Sequence, residues 1–113
     1  MIENHETIGA PEIVRTLVPM RDDFFTRAQT TTGTEARLIV TAQAYGIGSV
    51  LQAYRRGLRL RDDNHEYALL YALDFINHDR LYAEEDEVIH LKGYISGLEM
   101  VEVIVKDAYK EFL

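Results

Sequence analysis

The stretch from Glu84 to Phe112 constrains the fold most, because it reads as one uninterrupted amphipathic helix. It contains no proline, and its apolar side chains recur in steps of three and four residues, which places them on one helical stripe. At ~1.5 Å per residue such a helix would be about 43 Å long, whereas a compact chain of this length has a radius of gyration near ~13 Å. We therefore predict that part of the helix contacts a partner outside its own core. The stripe comprises Val88, Leu91, Ile95, Leu98, Val101, Val105, Ala108 and Phe112.

The segment before residue 31 predicts a first helix that contains a proline. Residues 1–10 show no helical periodicity, and we expect them to form a loose arm. Pro11 suits the first turn of a helix, where its missing N–H is no loss. Pro19 lies inside the apolar stripe that follows, so we expect this helix to be kinked or divided in two.

A second helix is expected to begin at Thr32, because Glu35 follows at the spacing of a capping box. Two stripes run along it, one bulky and apolar and the other made mostly of small residues. They predict a central helix that a neighbouring helix approaches closely. The bulky stripe is Val40, Ala44, Ile47, Leu51, Tyr54 and Leu58, and the small stripe is Ala42, Gly46, Ser49, Ala53 and Gly57.

Asp63 and Glu66 repeat the capping-box spacing and predict a third helix, which we expect to end near Asn77. Residues 77–83 would then connect it to the long last helix. The sequence thus predicts a single all-α domain, a bundle of about four helices with a kinked first helix and a long C-terminal one. The alternative is an α+β fold with a strand near 98–106, where β-branched residues are frequent.

Composition limits the class of function. The 113 residues include no cysteine, which excludes disulfides and thiolate metal sites. No apolar run approaches the ~18 residues that span a bilayer, and the first residues lack a secretion signal, so we expect a cytoplasmic protein, bacterial or viral. Residues 1–61 hold eight Lys/Arg against six Asp/Glu, and residues 62–113 hold four against thirteen. The net charge of −7 argues against direct binding to nucleic acid.

The last helix also predicts self-association. Its two glycines, four residues apart, permit close helix approach, and apolar residues then spread around more of the helix than one core can cover. We therefore predict a homodimer or a larger oligomer. The predicted interface is Gly93, Gly97, Met100, Val101, Ile104 and Val105.

As function we expect a non-enzymatic regulatory or protein-interaction module. The sequence shows no nucleophile–base pair, no glycine-rich phosphate loop and no closed metal set, so we assign no catalytic residue and no cofactor. The sharper hypothesis is an inhibitor whose acidic face occupies the nucleic-acid-binding groove of a partner enzyme, as small phage anti-defence proteins do. That face would comprise Asp62, Asp63, Glu84, Glu85, Asp86 and Glu87.

Four arginines within seven residues support a second hypothesis, an oligomeric nucleotide- or phosphate-binding protein that acts as a sponge or a sensor. Guanidinium groups hold phosphate oxygens, and an aromatic ring beside them can stack on a base. Because cations also stabilise a helix C-terminus, a local structural role is the competing interpretation. The ligand-binding residues would be Arg55, Arg56, Arg59, Arg61 and Tyr54.

A third hypothesis is a metal-dependent helical-bundle enzyme. Asp74 and His78 are four residues apart, and Glu87 and His90 are three apart. Helical bundles use such spacings to place metal ligands on one face. The competing interpretation is that the acidic residues simply favour a helix N-terminus.

Overall fold

The computed structural model describes residues 9–84 and 89–113, and the side-chain surroundings of residues 9–81 and 92–113. These residues form four α helices with no strand among them, so the predicted all-α bundle is confirmed and a strand near 98–106 is wrong. No helix of this part of the chain is long and apolar enough to cross a membrane. The helices are α1 (Glu12–Thr30), α2 (Thr34–Leu60), α3 (His65–Glu84) and α4 (Ile89–Tyr109), followed by a short 3-10 helix, η1 (Lys110–Phe112).

α1 runs through Pro19 without a break, so the predicted division in two is wrong. Pro19 lies on the exposed side of the helix, where the backbone carbonyl that it leaves without a donor can bind water. Residues 1–8 of the predicted arm lie outside the described residues. The opposite side of α1 is buried in the core through Ile13, Val14, Leu17 and Val18.

α2 is the central helix, as its two stripes predict, and it packs against α1, α3 and α4. Its bulky stripe forms the middle of the core. Burying a large aliphatic side chain contributes about 1.5–3 kcal/mol to stability. The bulky stripe is therefore the main source of the stability with which the helices pack together. The fully buried residues of α2 are Ala44, Ile47, Val50, Leu51 and Tyr54.

The small stripe of α2 lets its backbone come close to those of α3 and α4. The predicted close approach of a neighbouring helix is therefore confirmed. A methyl group added to Gly46 would stand 2.6 Å from the backbone oxygen of Tyr94 in α4. One added to Gly57 would stand 2.8 Å from the Cα of Ala68 in α3. Both distances are shorter than real Cβ contacts, so these two positions require glycine.

α3 extends to Glu84, so the predicted end near Asn77 and the predicted connection over residues 77–83 are wrong. The helix contains no glycine or proline that would end it earlier. α4 in turn begins at Ile89 and ends at Tyr109, so the predicted single helix from 84 to 112 is wrong as well. At ~1.5 Å per residue α4 is about 31 Å long. The longest dimension of the molecule is 43 Å, so the length of α4 no longer implies an external partner.

Two polar contacts explain why α3 continues alongside α4. The Tyr94 hydroxyl donates to the Asp79 carboxylate at 2.7 Å, and the Arg80 guanidinium pairs with Glu102 at 3.2 Å. Burial, together with the nearby carboxylate of Asp79, raises the pKa of Tyr94 to about 12. Ending α3 before residue 79 would remove both contacts.

The predicted capping box of Thr32 and Glu35 does not form, because the N-cap of α2 is Gly33 and no side chain caps this end. Gly33 has a φ of 94°, a conformation that glycine adopts at little cost. Thr31 instead stabilises the end of α1, since its hydroxyl donates to the backbone carbonyl of Arg27 at 2.6 Å.

The second predicted capping box, Asp63 with Glu66, is also wrong. Asn64 caps α3, because its Oδ1 accepts a hydrogen bond from the backbone N–H of Tyr67 at 2.8 Å. The sequence pattern was correct in placing a polar cap at this turn, and one residue off in choosing it. Asparagine is among the best N-cap residues.

Candidate functional site

A cavity of about 720 Å³ opens at the end of the bundle where α1 and α3 begin and α2 and α4 end. Its volume lies within the ~300–1,000 Å³ range of small-molecule pockets. We call it the end cavity. Its described lining residues are Gly9, Pro11, Glu12, Ile13, Thr16, Tyr54, Leu58, Asp63, His65, Ile104, Asp107, Ala108 and Glu111.

A tyrosine–histidine pair lies in the wall of the end cavity. Tyr54 is fully buried, and its hydroxyl lies 2.5 Å from Nδ1 of His65. Burial raises the pKa of Tyr54 to about 12, so the phenol keeps its proton at neutral pH. Phe112 also packs against the imidazole, with ring centroids 5.7 Å apart, so α2, α3 and η1 all hold the pair in place.

Four carboxylates surround the cavity. Glu12 comes from α1, Asp63 from the α2–α3 turn, Asp107 from α4 and Glu111 from η1. Lysine and arginine are absent from the described lining, and the exposed Lys110 ammonium pairs with Asp107 at 3.6 Å. Clefts lined by charges of one sign raise the local concentration of opposite charges. The end cavity therefore favours cations.

The turn between α2 and α3 positions one of these carboxylates. Asp62 and Asp63 both have positive φ, 48° and 61°, and the N–H of Asp63 donates to the carbonyl of Leu58 at 2.8 Å. This bond is that of a Schellman motif, which usually has glycine at the position of Asp62. Non-glycine residues in this conformation are uncommon and often lie at functional sites. Here the conformation places Asp63 at the cavity.

The residues described in the lining of the end cavity can bind a ligand, and no activated nucleophile is among them. Thr16 carries an aliphatic hydroxyl group in the described lining. That hydroxyl donates a hydrogen bond to the backbone carbonyl of Glu12 in the same helix, at 3.0 Å. The same lining includes the aliphatic side chains of Ile13, Leu58 and Ile104. An apolar wall with a few polar groups is the usual composition of a small-molecule site.

The described residues of the predicted acidic face lie at opposite ends of α3. Asp62 and Asp63 precede α3, whereas Glu84 is its last residue. A helix of 20 residues separates its ends by about 30 Å. Residues 85–87, the rest of the predicted face, lie outside the described residues, as does the side chain of Glu84. Asp63 therefore belongs to the end cavity and Asp62 to the turn beside it.

The arginine cluster is separated from its predicted aromatic partner. Tyr54 is buried and faces the end cavity, so it is not available to stack on a nucleotide. The Arg61 guanidinium lies over the ring of Tyr67, 4.9 Å from its centroid. Arg56 and Arg59 are exposed on the outward side of α2 and Arg55 is half-buried there.

The residues predicted for self-association are mostly inside the bundle. Gly93 and Gly97 contact the α2 backbone at Ile39 and Gln43. These contacts account for the close-approach pattern within a single chain. Their α4 neighbours Val101 and Val105 are fully buried, and Met100 and Ile104 are half-buried.

The predicted metal ligands do not converge in the part of the chain that the structure describes, where no group of three or more suitable side chains could hold an ion. Asp74 and His78 do lie together, in a shallow depression on the outside of α3. Glu87 and the side chain of His90 lie outside the described residues.

The end cavity was missed because its parts are distant in sequence. Two local signals were present. Asp107 and Glu111 are four residues apart, which places them on one helical face. The buried stripe of α2 contains a tyrosine, Tyr54, whose hydroxyl needs a hydrogen-bond partner. Neither pattern predicts that Glu12 and Asp63 would join them, since that depends on how the helices pack.

Comparison with known proteins found no matching family model, no matching curated protein and no matching solved structure.

Proposed function

We propose that this protein binds a small organic cation, an amine with a hydrocarbon body, in the end cavity and acts as a non-enzymatic sponge or sensor. The observation that carries the proposal is a cavity of ligand size lined by four carboxylates, with no lysine or arginine in its described lining. The proposal retains the ligand-binding sponge or sensor that the sequence suggests as a second hypothesis. The proposed ligand is a cation, however, and not a phosphate or nucleotide anion.

The lining supports each part of such a ligand. An ammonium group would be attracted by the carboxylates of Asp107, Glu111 and their neighbours. The aliphatic side chains of Ile104 and Leu58 would cover the hydrocarbon body, at about 25 cal/mol per Å² of apolar surface buried. The half-buried ring of His65 adds aromatic surface, which also attracts cations.

The test compares three ligands that share one body and differ in charge. Phenethylamine is positive, 2-phenylethanol is neutral and 3-phenylpropionate is negative at pH 7. Isothermal titration calorimetry should show binding of the amine, weaker binding of the alcohol and none of the acid. A preference for the acid, or equal binding of all three, would contradict the proposal.

A pair of double variants locates the site. Asp107→Asn with Glu111→Gln removes two charges from the end cavity and should weaken amine binding about tenfold, from two screened charge interactions. The matched control, Glu66→Gln with Glu99→Gln, removes two exposed charges that do not line the cavity and should leave affinity nearly unchanged. Equal weakening in both would mean that only the net charge of the protein attracts the amine.

The protein-interaction function, the inhibitor hypothesis and self-association expected from the sequence stay predictions. Analytical ultracentrifugation of the protein over a range of concentrations tests self-association directly.

A further inference from the structure

The outward side of α2 carries a row of cationic, polar and aromatic residues apart from the end cavity. With 3.6 residues per turn, the five members of this row fall within about 100° of the helix circumference. Tyr54 and Leu58, which line the end cavity, point away from it. We call this row the arginine face, and it comprises Tyr45, Gln52, Arg55, Arg56 and Arg59.

The charge of this face exceeds what helix stability requires. Residues 36–61 contain five arginines and no acidic residue. The dipole of a helix favours cations only within its last turn, which accounts for Arg59 but not for Arg56. Both Arg56 and Arg59 are exposed to solvent. The face is therefore a local positive patch on an acidic protein.

An aromatic platform lies at the other end of the same face. Tyr45 is 60% exposed, and the ring of Phe25 packs edge-on against it, with centroids 5.3 Å apart and planes at 88°. A cleft of about 530 Å³ between α1 and α2 adjoins it. Gly48 leaves room in this cleft for the side chain of Arg21, whose guanidinium pairs with Asp22 at 3.1 Å. An exposed ring held by a second ring is suited to stacking on a base.

We propose that the arginine face binds single-stranded nucleic acid, with Arg56 and Arg59 contacting phosphates and Tyr45 stacking on a base. From Tyr45 to Arg59 the face is about 21 Å long, which corresponds to several nucleotides of a stacked strand at ~3.4 Å each. That length exceeds a mononucleotide. A row of phosphates and a planar base match the two kinds of group on this face.

From the net charge of −7 we expected no direct binding to nucleic acid. That net charge does not prevent binding at the arginine face. None of the nineteen acidic residues lies in residues 36–61, the stretch that carries the arginine face. Binding of a polyanion depends on the potential at the contact surface and is screened beyond about 10 Å at 0.1 M salt. The positive patch on α2 can thus act locally.

Fluorescence anisotropy with a labelled oligothymidylate of about 20 nucleotides tests the proposal. We expect binding at about 50 mM salt that weakens steeply at about 200 mM. The double variant Arg56→Gln with Arg59→Gln should bind about tenfold more weakly and reduce the salt slope by about 1.4, at ~0.7 per phosphate contact on a single strand. Tyr45→Ala should weaken binding about tenfold through lost stacking and leave the salt slope unchanged.

A matched double variant controls for charge. Arg27→Gln with Arg61→Gln removes the same number of charges from arginines that lie over Phe24 and Tyr67, and it should retain near wild-type binding. Absence of wild-type binding at low salt would overturn the proposal, and so would equal losses in the two double variants. Competition by polyglutamate as strong as by unlabelled oligothymidylate, with Tyr45→Ala unchanged, would overturn it in favour of an acidic polypeptide. Equal competition by ATP at matched phosphate concentration would overturn it in favour of a mononucleotide.

Discussion

Two glycines in one helix, Gly46 and Gly48, give a direct test of how α2 is held. Glycine inside a helix costs about 1 kcal/mol relative to alanine, so replacing either one with alanine should gain this amount if nothing else changes. At Gly46 something must change, because the new methyl would stand 2.6 Å from the Tyr94 backbone oxygen and 3.2 Å from the Gly97 Cα. These are backbone atoms of α4, which can move only if the helix moves.

The cost at Gly46 follows from that displacement. Ordinary contact for a methyl group begins at 3.4 Å, so α2 and α4 would have to separate by roughly 0.8 Å there. A gap of ~0.5–1 Å forfeits a quarter to a half of the dispersion energy of the atoms concerned, and overpacked cores lose about 1–3 kcal/mol or more. After the gain of about 1 kcal/mol in helix propensity, we expect Gly46→Ala to lower the free energy of unfolding by up to about 2 kcal/mol.

Gly48→Ala is the matched control, since its methyl would meet the flexible side chain of Arg21 at 3.3 Å and no backbone atom. We expect it to raise the free energy of unfolding by up to about 1 kcal/mol. Urea denaturation followed by circular dichroism measures both, and a difference of 1 kcal/mol corresponds to about 4 °C in Tm for a domain of this size. If both variants gained stability equally, the close α2–α4 contact would be refuted.

Three further perturbations test local features. Asn64→Ala removes the α3 cap and should cost about 1 kcal/mol, measured by urea denaturation, and Asn64→Asp should restore most of it; an unchanged midpoint in Asn64→Ala would contradict the cap. Asp62→Gly should stabilise the α2–α3 turn by about 0.5–1 kcal/mol, because glycine adopts its φ of 48° without strain, and a loss of stability would contradict this. The pKa values of Tyr54 and Tyr94, about 12 in the folded state against an ordinary tyrosine value of 10.0, mean that the folded protein holds these protons more tightly, so stability should be intact below pH 10 and fall as pH rises from about 10 to 12. Chemical denaturation across that range checks the sign, and Tyr54→Phe should reduce the slope.

Much of the fold was readable from periodicity. The stripes of α2 predicted both its burial and its close neighbours, because apolar and small residues at helical spacing have few other uses. Boundaries were less accurate. The local sequence at Asn77 and His78 resembles a turn, but Asp79 and Arg80 form polar contacts with α4 that favour a longer α3. Contacts between residues distant in sequence cannot be recognised from a local pattern.

The candidate site could not be predicted from local patterns. The sequence draws attention to dense clusters, the arginines at 55–61 and the acidic run at 84–87. The end cavity instead combines single residues such as Glu12, Asp63 and Asp107 from separate helices. The glycines of α4 show the same limit, since Gly93 and Gly97 predicted close approach but could not identify α2 of the same chain as the neighbour.

The acidic residues at the end of α4 give a last test, because local stability argues against them. Asp107 lies in the final turn of α4 and Glu111 follows four residues later. Acids at a helix C-terminus oppose the dipole at a cost of ~0.3–1 kcal/mol, and like charges four apart cost a further ~0.2–0.5 kcal/mol. The double variant Asp107→Asn with Glu111→Gln should therefore raise the free energy of unfolding by about 0.5–1 kcal/mol while weakening amine binding, whereas Glu99→Gln should change neither. Weaker binding in a more stable protein cannot come from misfolding, so this outcome would assign the two carboxylates to ligand binding. A loss of stability in the double variant would mean that they hold the bundle together, and the ligand-binding interpretation of the end cavity would lose its support.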